Sequence, residues 1–323
     1  MYKKVLVFGF YFHANHGDQL FIEAFQYLFP DYDFIFTDHI DTHQLSNIDV
    51  VFFGGGSFLL DRPNISEQAI YLLSQKQIFY LGVGVEEDIH PIHVDLMMQA
   101  KLIATRSINQ VDRLMTLNKQ VRFIPDLVYA LQSKVVSVVR ESKSVLIMPN
   151  IYVVPRQSDP HWKHASWNYF KSELVQFLDW LVENNYHPSL FSMCKDRKAD
   201  DSWAGAELIS AMDKRSQACV SLAQPKNFSE LSKLVSAHSL LITQRFHGII
   251  LAEMTQTPYL AIHHHDKLLP SNATEGTFLS YYNCSKHLLI EAFEKTRVMH
   301  FKLSPIPPTT FEAFKEEVIS LIK

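Results

Sequence analysis

The chain is poor in cysteine, and the three it has, Cys194, Cys219 and Cys284, stand far apart with no metal-ligand spacing. This argues against a cysteine-built metal site, and the expected state is three reduced thiols in a cytosolic protein. Basic residues are not in excess: 30 Lys and Arg face 34 Asp and Glu, a net charge of −4 with His neutral. That balance speaks against a nucleic-acid partner held by a broad basic field, while leaving room for a local basic pocket. No stretch approaches about 18 uninterrupted apolar residues, so no transmembrane helix is expected. The opening MYKKVLVFGFYF mimics a signal peptide, but it runs into His13, Asn15 and Asp18 without a small-residue cleavage site and reads as a first β-strand. There is no GxGxxG fingerprint, no short-period repeat and no low-complexity tract.

What is present is the material of two α/β domains. At 323 residues, 47% hydrophobic and 20% charged, the chain exceeds the size at which a single core stops growing. Short apolar runs such as KKVLVFGF, DVVFFGGG and QIFYLGVGV alternate with helical patterns, and AKLIATRS and QVRFIPDLVYAL continue the rhythm. Strands apolar on both faces and separated by helices predict a parallel sheet covered on both sides. This first domain is expected to end near residue 138. A second unit restarts with SVLIMPNIYVV, followed by a helix with Phe170, Leu174, Phe177, Leu178 and Leu181 in helical spacing. HPSLFSMC reads as a strand, NFSELSKLVSAHSLLITQRF as a helix capped by Asn227 or Ser229 and then a strand, and TPYLAIHHH as another strand. The residues after PIPP form a terminal helix.

Parallel sheets present ligands where the strands end, and six such places carry candidate chemistry. In FGFYFHANHGDQLFIEAF, Asn15, Gly17 and Asp18 stand before a helix whose first amides favour an anion or polar ligand; the plainer reading is a cap and a turn glycine. In FFGGGSFLLD, Gly55, Gly56 and Ser57 either let a ligand approach the backbone or supply a turn needing positive φ. The GVGV run at 82 to 85 is less specific. Arg106 and Ser107 follow an apolar run, placing a planar cation for a phosphate or carboxylate, or else a surface salt bridge; Asp126 is a turn former or an orienting helper. Arg245 and His247, followed by Gly248, join a fixed cation to a proton carrier, against the alternative of a satisfied core histidine. The run His263, His264, His265 and Asp266 does not predict a metal site, because consecutive strand residues point to alternate faces; Lys267 is instead expected to reach the pocket.

The ordered series NHGDQ, GGGSFLLD, GVGV, TRSINQVDRL, PDLVYAL, TQRFHGIILA and HHHDK resembles the polysaccharide pyruvyl transferases. It departs from the family's usual pattern at Gln19, Leu20, Ser107 and Phe246. The resemblance implies a glycosyltransferase-B-like fold of two Rossmann-like α/β domains facing a cleft: an acceptor-side domain at 1–138, a donor-side domain at 139–304, and a linker with the C-terminal helix at 305–323. It implies transfer of a pyruvyl group from phosphoenolpyruvate, a substrate and not a cofactor, to two hydroxyls of a sugar or lipid-linked oligosaccharide, forming a ketal. Arg106, His247 and Lys267 match positions that handle the donor, with Arg245 beside them. No metal or cofactor is called for, and the expected location is cytoplasmic, with peripheral contact at the inner face of the membrane allowed. Trp162, Trp167 and Trp180 stand where they either stack on sugars, touch a lipid carrier or fill core. Two alternatives are a nucleotide-sugar-dependent glycosyltransferase of the same fold, with Glu253 on the ribose or merely a solvated helix charge, and a non-catalytic carbohydrate-binding relative.

Overall fold

The computed structural model describes residues 3–57, 59, 62–85, 88–150, 160–196, 200–263, 277–298 and 306–322. The chain divides into two compact units, Met1–Ser133 with Ile306–Lys323, and Lys134–Pro305. The division falls a few residues before 138. The terminal helix Pro308–Leu321 belongs to the first unit: it buries Phe311, Phe314 and Val318, Lys3 Nζ donates to the Ile322 carbonyl at 2.7 Å, and Arg122 pairs with Glu317.

The first unit holds β1 (Lys3–Phe8), β2 (Tyr32–Thr37), β3 (Val50–Gly56), β4 (Gln77–Val83), β5 (Leu102–Thr105) and β6 (Val121–Phe123). Their order is β2-β1-β3-β4-β5-β6, and every pairing is parallel. Central β3 and β4 are apolar on both faces because both are covered. On one face Phe34 and Phe52 meet Phe25 of the helix His16–Leu28, Phe52 also meets Phe29 at that helix's C-cap, and Phe79 packs edge-on against Phe52. On the other, Phe53 stacks on Tyr80 at 4.7 Å, and the Tyr80 hydroxyl hydrogen-bonds the buried His93 at 3.1 Å. The strand β2, YDFIFT, lies at the sheet edge with alternating exposure.

The second unit holds β7 (Glu141–Met148), β8 (His187–Phe191), β9 (Ser221–Ala223), β10 (His238–Thr243), β11 (Tyr259–His263) and β12 (Thr277–Ser280), in the order β12-β11-β10-β7-β8-β9, again all parallel. The helix Pro160–Glu183 lays Phe170, Leu174, Phe177, Leu178 and Leu181, the five residues picked out by their spacing, onto Val145, Ile147, Leu240 and Ile242. Trp167 is buried in that core with its Nε1 donating to Glu207 at 2.9 Å, and Trp180 packs against it, whereas Trp162 is exposed. Asn227, not Ser229, caps the helix Phe228–Ala237, its Oδ1 accepting from the Glu230 amide at 2.9 Å.

In each sheet the strand order reverses once, between β1 and β3 and between β7 and β10. Neighbouring connections leave these points in opposite directions, so a crevice opens above the strand ends, where ligands of open α/β sheets bind.

Candidate functional site

At the first reversal, Asn15 Oδ1 accepts from the Gly17 amide at 2.9 Å and caps the helix His16–Leu28. Gly17 and Asp18 thus lie inside the first helical turn, not before it. The strand β3 runs through Gly56 and does not stop ahead of the glycines as the sequence implied; Gly55 and Gly56 have φ of +80° and +86°, a conformation L side chains rarely adopt. A Cβ on Gly55 would strike the Phe21 ring at 2.7 Å, and one on Gly56 would sit 3.5 Å from Asp18 Oδ1, so the Asp18 carboxylate lies beside this backbone.

Arg106 leaves β5 into the same rim. Its Nη1 donates to Asp126, its Nη2 donates to Ser57 Oγ at 3.1 Å, and its guanidinium carbon lies 5.9 Å from the Phe21 ring centre. Asp126 is buried and also accepts from the Val128 amide at 3.0 Å, so it both forms a turn and orients the arginine. This is no surface salt bridge. Gly84 leaves the room: a Cβ there would be 2.4 Å from Ser57 Oγ and 3.0 Å from Arg106 Nε. Ser107 Oγ accepts from the Val85 amide at 2.9 Å and ties the loop after β4 to the one after β5. Asp18, Gly56, Ser57 and Arg106 are therefore brought together on one sheet edge.

At the second reversal, Arg245 sits at the N-terminal boundary of the helix Phe246–Thr255, and its amide donates to Thr243 Oγ1 at 3.0 Å. Its Nε donates to Asp201 Oδ2 at 3.0 Å and its Nη2 to Asp201 Oδ1, a two-point grip by a fully buried carboxylate. Burial pushes the Asp201 carboxyl up to about 6 although the Arg245 guanidinium pulls it down. One edge of the guanidinium, Nε and Nη2, is taken by this pair, which leaves the Nη1 side to face an anion. His247 is half-buried in the first helical turn, its ring edge-on to Phe246 at 5.7 Å. Gly248 lets this turn press on β7 and β10, since a Cβ would come within 2.3 Å of Thr243 Oγ1 and 3.0 Å of Met148 Sδ.

Two residues here escaped the sequence reading. Asp201 is the second of consecutive aspartates at a helix start, where an acidic residue signals only a cap, and its partner is 44 positions away. Gln244 is 2% exposed; its Oε1 accepts from the Asn150 amide at 2.9 Å, and its Nε2 is enclosed with no acceptor among the described residues. Glu253, weighed as a ribose ligand or a solvated charge, is neither solvated nor exposed: it is buried and accepts from the Tyr259 hydroxyl at 3.0 Å. His263 closes β11, while His264, His265, Asp266 and Lys267 lie outside the described residues. Among the described residues no three His, Cys, Asp or Glu gather as for a metal ion, and no helix is long and apolar enough to cross a membrane.

Comparison with known proteins agrees with this geometry. The chain is similar over 99% of its length to UDP-GlcNAc 2-epimerase from Methanocaldococcus jannaschii, covering 100% of that chain at 9% identity with a TM-score of 0.60. A UDP co-structure of MnaA from S. aureus matches at 11% identity and a TM-score of 0.61, covering 99% of this chain and 98% of that one. MurG from Acinetobacter baumannii matches at 9% identity and 0.51, over 98% and 99% of the two chains. At such identities these likenesses show the fold alone, a two-domain α/β architecture of the glycosyltransferase-B type. No curated protein matches the chain in sequence. The family model for polysaccharide pyruvyl transferase matches residues 15–266, a span that contains Asp18, Ser57, Arg106, Asp201, Arg245 and His247. The chain therefore belongs to the polysaccharide pyruvyl transferase family.

Proposed function

We propose that this transferase moves the pyruvyl group of phosphoenolpyruvate onto two hydroxyls of a sugar residue, closing a ketal and releasing inorganic phosphate. The observation that carries the reading is the second reversal point, where Arg245, locked by Asp201, stands two residues from His247 at a helix start. In the reaction a proton goes to the methylene carbon, leaving an oxocarbenium-like centre at C2. Two C–O bonds then form there, one C–O bond to phosphate breaks, and the two hydroxyl protons balance the new methyl and the phosphate.

His247 is the acid and base in this scheme, for which positioned side chains typically supply about 10²- to 10⁴-fold. Arg245 and Arg106 hold the carboxylate and phosphate charges. Lys267, by the family resemblance, offsets charge on the departing phosphate. These cations make a metal or cofactor unnecessary to the scheme. The first unit takes the acceptor side and the second the donor side, in a cytoplasmic setting where a lipid-linked acceptor is met at the membrane face.

The test is incubation with phosphoenolpyruvate and a panel of sugar acceptors, reading phosphate release and the new ketal methyl signal. Turnover only with a nucleotide sugar would remove this reading. His247→Ala is expected to lower turnover about 10²- to 10⁴-fold with cooperative unfolding intact, and an unchanged rate would take His247 out of the mechanism.

A further inference from the structure

The loop of residues 9 to 15, between β1 and the helix His16–Leu28, presents features that stability does not explain. Tyr11 anchors it: the ring is buried and its hydroxyl donates to the Gly54 carbonyl at 2.6 Å. On either side of that anchor, Phe10 is 45% exposed and Phe12 72% exposed. Phe12 and Ala14 also adopt φ of 67° and 50°, left-handed backbone that costs a non-glycine residue roughly 1–2 kcal/mol. Phe12 thus gains little burial and carries strain. Strain of this kind is found where a side chain must be aimed at something other than its own core.

Beside the Phe10 ring stands a fixed polar group. Phe10 stacks on the His13 imidazole, ring centres 3.9 Å apart and planes 13° from parallel. His13 Nε2 lies 3.0 Å from Asp38 Oδ2, and His39 Nδ1 lies 3.1 Å from Asp38 Oδ1. Asp38 directly follows β2, whose neighbour is β1, so the group belongs to the same strand-end rim as Asp18 and Ser57. Burial works to raise the Asp38 carboxyl, but the bonds from His39 and His13 outweigh it and hold it below its usual value. Each imidazole occupies one site on a different oxygen, and a carboxylate offers about four, so acceptor capacity is left on its exposed side.

An aromatic face next to a charged acceptor suits a ligand with one apolar face and outward hydroxyls. The carboxylate repels phosphoenolpyruvate and other anions, and the sugar acceptor of the proposed reaction is a neutral polyol of this kind. We propose that Phe10, Phe12, His13 and Asp38 form a subsite for one hexopyranose unit of the glycan acceptor, the rings covering its C–H face and the Asp38 group taking its hydroxyls. This rests on the reading of the protein as a glycan-modifying transferase.

The experiment is saturation-transfer NMR with methyl glucoside, galactoside and mannoside, without phosphoenolpyruvate, on the wild type, Phe12→Gly and Asp38→Asn. Transfer from protein aromatic protons to the pyranoside ring is expected in the wild type for at least one sugar. Phe12→Gly should weaken binding roughly two- to tenfold, the range of an aromatic contact, and Asp38→Asn by about tenfold or more. Because glycine relieves the backbone, Phe12→Gly should melt no lower than the wild type, which separates lost contact from lost fold. Equal binding by Phe12→Gly, or no transfer to any sugar in the wild type, overturns the subsite. Sugar binding that depends on Phe12 in a protein releasing no phosphate from phosphoenolpyruvate keeps the subsite and removes pyruvyl transfer. Wild-type turnover in Phe12→Gly does the reverse.

Discussion

Arg245 keeps about a fifth of its side chain in solvent, while the carboxylate gripping it keeps none. Removing Asp201 leaves the guanidinium half-enclosed with two donors unmet. Asp201→Ala is therefore expected to destabilise the protein by about 3 kcal/mol, the lower end of the range for breaking a buried pair because Arg245 is not fully desolvated. Urea denaturation followed by tryptophan fluorescence reads this directly, since Trp162, Trp167, Trp180 and Trp203 all lie in the second unit. A loss below about 0.5 kcal/mol, the size of an exposed pair, would show that Asp201 does not hold the arginine. At this scale the sequence is a good guide to which charges stand at strand ends and a poor guide to what holds them. Arg106 and Arg245 are visible because a charge directly follows an apolar run. Their carboxylates stand 20 and 44 positions away, at distances that no local pattern encodes.

The helix Phe246–Thr255 shows how an element is positioned. A glycine within a helix ordinarily costs about 1 kcal/mol relative to alanine, so Gly248→Ala would be expected to stabilise. Here the added methyl would meet Thr243 Oγ1 at 2.3 Å and Thr243 Cβ at 3.0 Å, and that hydroxyl is held by the Arg245 amide at 3.0 Å on a short, branched side chain that cannot swing clear as a long flexible one does. Overpacking costs about 1–3 kcal/mol and outweighs the propensity gain. Gly248→Ala should therefore lower the melting temperature, by several degrees in a unit of this size. A rise would mean that the helix can move off the strand at little cost. Central strands were legible because both faces are apolar. Edge strand β2 and the three-residue β9 carry weak patterns, β9 with little buried surface at all, and β12 is half-exposed throughout. Half-exposed edges lack the continuous apolar run that marks a buried parallel strand.

Over the whole molecule, two buried groups, one in each unit, carry opposite acid responses. In the first, burial and the nearby His90 push His93 down to about 3, against roughly 6.5 for an unfolded histidine. Between these values the unfolded chain binds a proton that the native one does not. The His93 contribution is complete above about 6.5 and is lost as pH falls toward 3, on the order of 4 to 5 kcal/mol in all. In the second unit Asp201 is raised to about 6, so its contribution is complete below roughly 4 and is lost as pH rises through 6. On acidification the first unit should unfold ahead of the second. Far-ultraviolet circular dichroism should fall before tryptophan emission changes, and His93→Gln, which can still bond Tyr80, should move the first transition to lower pH. Coincident transitions in the wild type would contradict this.

The order of apolar runs, their lengths and the polar residues at their ends were enough to specify two parallel α/β units, because burial on both faces leaves a mark on every central strand. They also placed Asn15, Asp18, Ser57, Arg106, Arg245 and His247 just past strands, where side chains stand at the sheet's carboxyl edge. Only the tertiary structure decided the strand order. That order reverses between β1 and β3 and between β7 and β10, and it selects which loops share a crevice. It also decided that Asp126 and Asp201 orient the arginines, that Glu253 turns inward to Tyr259, and that Phe12 stands strained and exposed while the next residue, His13, meets Asp38. Each of these depends on which strand lies next to which, a choice made by the packing of the whole sheet and not by any one stretch of chain.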